Sequence, residues 1–368
     1  MSRVSSDFLR LLSIVAVLVI HATSAGEWRF QQEHALFSEA FVGVLLNQIA
    51  RFCVPIFVIL SGYGLTLKYN RLLEKGAIKL DFGFVWQFFK DRAARIGLPF
   101  LVWTVVLLFI FNKFVAYGID LGNFLYLNSS VLGKYLCLEG IDYHFYFFII
   151  IIECYLIFPA IFRCKSYTLW FALLLMQIFF TSPSHIWLQQ LGLHRPDFPS
   201  SFIIYWLFYF YTGILLAHHQ KQIKDFIMAR SSIWFITGFL AGLALVLFEY
   251  FFWSYRQNDP GNYNHFHRQV VIFYSLVVLL FFIRFDAGIE RVLTSSDATG
   301  KAITLAAELS FSVYIFHTMI LRVLAKTFLA GELFLLIASL LVISFGLIYL
   351  VHRIITKPAL LRKILGLP

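Results

Sequence analysis

Charge is scarce in this chain. Asp, Glu, Lys and Arg make up only 14% of its 368 residues, where a soluble domain carries about a quarter. That excludes a sizeable soluble domain. Cysteine is scarcer still. Cys53, Cys137, Cys154 and Cys164 have no metal-ligand spacing, and only Cys137 falls in an expected outer loop, so no disulfide framework is implied. There is no phosphate-binding glycine loop, no G-x-S-x-G elbow and no H-E-x-x-H pair. His218-His219 and His265-x-His267 lack the spacing and carboxylate company of a good metal site, so no metal is expected. Internal repeats of the transporter kind and low-complexity tracts are also missing.

What is abundant is apolar surface. Hydrophobic residues reach 60%, Phe alone supplies 43, and mean hydropathy is +0.79. The expected fold class is all-α: a polytopic membrane helix bundle, with lipid as its first partner. Hydropathy predicts about ten spans, at 8–25, 41–67, 94–116, 144–162, 167–182, 201–218, 232–253, 268–285, 303–322 and 333–355.

The net charge of +10 does not point to nucleic acid, because the basic residues collect on one side. With the N-terminus inside, 21 of the 30 Lys and Arg fall in cytoplasmic segments and eight in outer ones, with Arg51 inside the second span. This bias predicts both termini in the cytoplasm. The outer loops 26–40, 117–143, 183–200 and 254–267 carry Trp28, Trp187, Tyr255 and Tyr263, rings that suit a sugar or, equally, an interfacial anchor. The first segment also has the layout of a signal peptide, with Ala22-Thr-Ser-Ala25 as the small-residue site. An uncleaved first span is preferred, because many similar segments follow.

Ionisable groups inside the spans are the candidates for chemistry. Arg10 and His21 lie in the first span with ten apolar or small residues between them. Eleven helical positions place both on one face, about 16 Å apart along the axis. A snorkelling Arg10 and a His21 bonded to a neighbouring helix would satisfy the same pattern. The second span runs Arg51-Phe-Cys-Val-Pro-Ile-Phe-Val-Ile-Leu-Ser61-Gly-Tyr63. Pro55 predicts a kink, Ser61 and Gly62 allow close helix approach, and Arg51 is a deep cation that needs a partner.

Arg92 and Arg95, at i,i+3, suit bidentate contact with phosphate oxygens, although a positive-inside anchor looks the same. The fourth span opens Asp142-Tyr-His144-Phe-Tyr-Phe and carries Glu153 in a run of Phe and Ile. Glu153 has no role assigned from the sequence. In the ninth span Ser310, Tyr314 and His317 form one polar stripe at i, i+4, i+7, which interhelical hydrogen bonding alone would also explain.

Taken in order, these motifs resemble the membrane acyltransferase-3 family, and its branch that acylates surface polysaccharides and their lipid-linked precursors. Asp7-x-x-Arg10-x10-His21 looks like its first-helix signature, and Arg51-x-x-Val-Pro-x-Phe…Ser61-Gly-Tyr63 like its second. Arg92-x-x-Arg95 is similar to its Arg pair. His144-Phe-Tyr-Phe…Tyr155…Pro159 is similar to its His-Leu-Trp-Phe pattern, with Tyr146 where Trp is usual. Ser310-Phe-Ser-Val-Tyr314-Ile-Phe-His317 is similar to its late motif. Members with an added esterase-like periplasmic domain run well past this length, so a stand-alone module, 1–368, is expected.

The resemblance implies an acyl-CoA donor, most often acetyl-CoA, a glycan or lipid-linked sugar as acceptor, and a bacterial cytoplasmic membrane. It implies His21 as general base with Arg10 and Asp7 beside it. Arg92, Arg95 and Arg10 would hold the donor's phosphates. Arg51, Ser61, Tyr63, His144, Tyr314 and His317 would face substrate. A general base and an acyl-His intermediate both remain open. The competing classes are a polysaccharide or lipid-linked sugar exporter and a non-catalytic assembly partner. A homo-oligomer is compatible with the sequence.

Overall fold

The computed structural model describes residues 1–33, 38–107, 140–181, 191–192, 199–257, 265–327 and 331–368, with side chains left out at 25–33 and 253–257. Among the described residues every extended element is a helix. Trp187, Tyr263 and Cys137 lie outside them, and the side chains of Trp28 and Tyr255 are not described.

The chain divides into two compact units. The first is built on Met1–Leu60 and His219–Val351, the second on Ser61–Phe180, the stretch ending at His218, and His352–Pro368.

In the first unit, α1 (Arg3–Glu33) runs beyond the expected span, so part of the predicted outer loop 26–40 is helical. α2 (Glu39–Ile49) starts where the Ser38 hydroxyl accepts from the Phe41 amide at 3.1 Å, a typical N-cap. One 3-10 turn, Ala50–Phe52, links α2 to α3 (Cys53–Glu74). Where Pro55 predicts a kink, the structure has this 3-10 turn, and Glu39–Glu74 runs on as one stretch. Proline sits in the first turn of α3, where its missing N–H costs least, and Arg51, four residues earlier, lies in the 3-10 turn. Within α3 the division between units falls after Leu60.

α1 packs on α2 and on α13, defined below, and α2 packs on α10. Val44 and Tyr250 are fully buried there, with Phe41 and Phe251 against them.

In the second unit, α4 (Phe82–Arg92) is capped by Asp81, which accepts from the Phe84 amide at 2.9 Å. It passes into a π-helical turn, Ala93–Gly97, and then α5 (Leu98–Val106). Pro99 explains the wide turn: it has no N–H to offer the Arg95 carbonyl four residues back. α6 (Tyr146–Ile161), α7 (Tyr167–Phe180) and α8 (Leu207–His218) follow. An aromatic core of Tyr69, Phe84, Phe88, Phe158 and Phe162 joins α3, α4 and α6, with Phe88 stacked on Phe158 at 5.2 Å.

The chain then returns to the first unit with α9 (Gln220–Met228), α10 (Ser232–Gln257), α11 (Gln269–Arg284), α12 (Asp286–Leu293), α13 (Asp297–Leu324) and α14 (Leu333–Ile354). α15 (Ala359–Ile364) closes the second unit.

Five described helical stretches are long and apolar enough to cross a membrane: Arg3–Ser24, Glu39–Glu74, Ser232–Phe252, Asp297–Leu324 and Leu333–Ile354. α11 and α12, bent by 66°, add a sixth if they form one span. α10 and α14 leave most of their apolar surface outside the protein, including Trp234 at 72% and Val342 at 71% exposed. Lipid is the solvent that tolerates such faces. This is an integral membrane protein.

Candidate functional site

The first unit gathers polar residues around α1. Near its start, buried Asp7 accepts from Arg10 Nη1 at 3.2 Å, and Arg3 lies 3.7 Å from its other oxygen. Three turns on, the His21 ring meets the His317 ring of α13, with centroids 5.0 Å apart and planes 37° off parallel. His317 is fully buried, and Tyr314 nearly so. His317 Nδ1 is 2.7 Å from the Tyr314 carbonyl. A carbonyl only accepts, so Nδ1 carries the hydrogen and, in the neutral ring, Nε2 carries the lone pair. Ser310, also in the expected stripe, donates back to the Ala307 carbonyl of its own helix at 2.7 Å.

Arg51 has the partner its position demands. It donates to Asn47 Oδ1, and its guanidinium lies 5.1 Å from the Phe266 ring. Asn47, fully buried, donates to the Ile20 carbonyl at 3.1 Å and the Thr23 hydroxyl at 3.0 Å, one residue before His21 and two after it. A second deep cation, Arg268, pairs with Glu249 at 3.1 Å and donates to Gln48 at 2.6 Å. Asn47, Gln48, Glu249 and Arg268 belong to none of the sequence motifs. Their signal was polarity inside or beside apolar runs, at Asn47-Gln48 and at Glu249.

The second unit holds the other candidates. Ser61 and Tyr155 share a hydrogen bond of 3.0 Å, and Tyr63 is buried. Arg92 lies 5.8 Å from the Tyr155 ring and 5.9 Å from the Phe88 ring. It is half-buried and Arg95 is exposed. The π turn winds fewer degrees per residue than an α turn, so the pair is splayed further around the axis than i,i+3 spacing implies. Lys68, 5.2 Å from the Tyr69 ring, is within electrostatic range of both arginines.

Among the described residues none of the three cations forms an ion pair. Arg92 Nε is buried without a partner. Cations left in this condition fit an anionic ligand such as a phosphate.

His144 is paired in the same unit. Its Nδ1 is 3.1 Å from Asp142 Oδ2, and both side chains are buried. Gly140 makes this turn possible: its φ is +77°, and a Cβ there would run into Phe145. Glu153 is half-buried, and its Oε2 is buried without a hydrogen-bond partner.

The model of a family described as Acyltransferase domain matches residues 3–353. The chain belongs to the acyltransferase-3 family. The match covers nearly the whole chain and takes in most of both units, and the protein is an acyltransferase of the membrane. No curated protein and no solved structure matches it. Among the described residues of this acyltransferase, no group of three or more His, Cys, Asp or Glu gathers as metal ligands.

Proposed function

We propose that this acyltransferase moves an acyl group, acetyl in the first instance, from cytoplasmic acyl-CoA to a hydroxyl of a surface polysaccharide or its lipid-linked precursor. In this proposal the chain crosses a bacterial cytoplasmic membrane about ten times, with both termini inside. The observation that carries the reading is the meeting of His21 and His317, which joins the first-helix motif to the late motif in one buried polar cluster. Such a cluster is costly in a bilayer unless it serves a reaction or a path.

His21 is assigned the role of general base on the acceptor hydroxyl. Its proton goes to the imidazole, the oxygen attacks the thioester carbonyl, the C–S bond breaks, and the thiolate is reprotonated to CoA thiol. Arg10, fixed by Asp7, Tyr314 and His317 attend the same centre. Arg92 and Arg95 are assigned the donor's phosphates, with support from the fact that neither forms an ion pair among the described residues. Ser61, Tyr63 and His144 are assigned to substrate, as is Arg51 through the elements it holds.

The test is purified protein with labelled acetyl-CoA and candidate glycans. His21→Gln should insert normally and lose about 10²–10⁴-fold in transfer rate. Arg92→Ala and Arg95→Ala should each weaken CoA binding about 10- to 100-fold. Normal transfer by His21→Gln would remove the catalytic assignment, and unchanged CoA affinity in the double variant would remove the phosphate assignment. A sugar exporter would show neither labelled product nor CoA affinity.

A further inference from the structure

We propose that Lys68 is a substrate-binding residue that shares one phosphate of the donor with Arg92, while Arg95 takes a separate one, so that the site reads the 3′-phosphate of CoA as well as its diphosphate. The inference rests on the acyl-transfer reading above and divides its phosphate site into two places. Three observations carry it. The first is the company Lys68 keeps. It is exposed, and its ammonium lies 5.2 Å from the centre of the Tyr69 ring. Among the charges that act on it, Arg92 is the strongest, Asp91 is next and Arg95 follows. Asp91 does not neutralise this cluster. Its carboxylate accepts from Gln87 at 2.7 Å and pairs with no cation among the described residues.

The second observation is a pair of unmatched donors. The Tyr69 hydroxyl and Arg92 Nε are both buried without a hydrogen-bond partner. Tyr69 and Arg92 flank the same Phe88 ring, at 5.5 and 5.9 Å, and no charge acts on Tyr69 more strongly than Arg92 does. Like charges beside orphan donors are costly until an anion arrives. A phosphate supplies acceptor and counter-charge together. The third observation is the π turn, Ala93–Gly97, which carries exposed Arg95 round the axis from half-buried Arg92. A single phosphate fits both places poorly. CoA, with a diphosphate and a further phosphate on its ribose, has one for each.

Methionine keeps the apolar stem of Lys68 over the ring and removes only the charge. In full-length protein in nanodiscs, Lys68→Met should weaken CoA binding about tenfold, and Lys68→Arg should restore it to within about threefold of the wild type. Combined with Arg92→Ala, Lys68→Met should cost less than its separate effect, because the two side chains share a phosphate. Combined with Arg95→Ala, its effect should be additive. Dephospho-CoA, which lacks the 3′-phosphate, separates the two places. Against it, the effect of either Lys68→Met or Arg95→Ala should vanish while the other persists. Without ligand, Lys68→Met should melt no lower than the wild type, since it relieves repulsion among cations. Discs of phosphatidylcholine alone and discs with added phosphatidylglycerol should show the same Lys68 effect on CoA binding.

Unchanged CoA affinity in Lys68→Met would overturn the proposal and leave acyl transfer standing. So would an effect seen only with phosphatidylglycerol, which would make Lys68 a lipid-headgroup contact, or equal behaviour of the Lys68 and Arg95 variants toward dephospho-CoA. A wild-type protein that binds CoA in this pattern but transfers no acyl group would instead overturn the proposed function and keep the two-place site.

Discussion

Glu249 and Arg268 show what a single buried charge costs. Each is almost sealed from solvent, and they meet at 3.1 Å. Removing one partner leaves the other charge unmatched in a low-dielectric interior, which costs about 3–5 kcal/mol. Glu249→Leu should therefore lower the thermal midpoint in detergent sharply, and Glu249→Leu with Arg268→Met should recover much of the loss. At this scale the sequence was half legible. His21, Arg51 and His317 were each visible as polar residues in apolar helices. Their contacts were not, because the 27 positions between Asn47 and Ile20 say nothing about which turn faces which. Asn47 was missed because a neutral amide carries no charge to flag it, although it links Arg51 to the His21 turn.

Between elements, close approach decides tolerance. A Cβ added at Gly62 would collide with the Phe210 carbonyl oxygen of α8, a backbone atom that yields only if the helices separate. Gly62→Ala should destabilise by about 1–3 kcal/mol, read as a fall in the melting midpoint. Two residues on, a Cβ at Gly64 meets nothing within 4 Å. Gly64→Ala should be neutral or slightly stabilising, as a helix-interior glycine replaced without strain. The Ser61-Gly62 pair was readable as a close-packing signal. The π turn was not, because Pro99 marks a disturbed ladder without saying whether the helix breaks, bends or widens. That turn is what makes Arg92 and Arg95 unequal: one stacks on aromatic rings, and the other stands in the open.

For the molecule as a whole, the apolar composition and the family motifs were the legible part, and loop boundaries the weakest. α1 continues to Glu33 and α10 to Gln257, through segments assigned to loops because polar residues enter there. Polarity ends a span in lipid but does not end a helix. Acid should loosen the first unit at α12. Asp286 is buried, which alone would raise its pKa. The Ser2 amide at 2.8 Å and Lys224 at 3.2 Å outweigh that and hold it below the ordinary value. A depressed carboxylate contributes stability that is full above its unfolded pKa, about 3.9, and is lost as pH falls through the folded one. Asp286→Asn should melt below the wild type at neutral pH, and the gap should close at acidic pH.

The lengths of the described helices carry one more consequence. α14 is 22 residues long, about 33 Å, and matches a hydrocarbon core of about 30 Å. α6, α7 and α8, at 16, 14 and 12 residues, reach only about 24, 21 and 18 Å. α8 is buried among its neighbours, but α6 and α7 turn Leu156 and Phe171 outward, and hydrocarbon beside helices this short is better matched by a thinner bilayer of shorter-chain lipids.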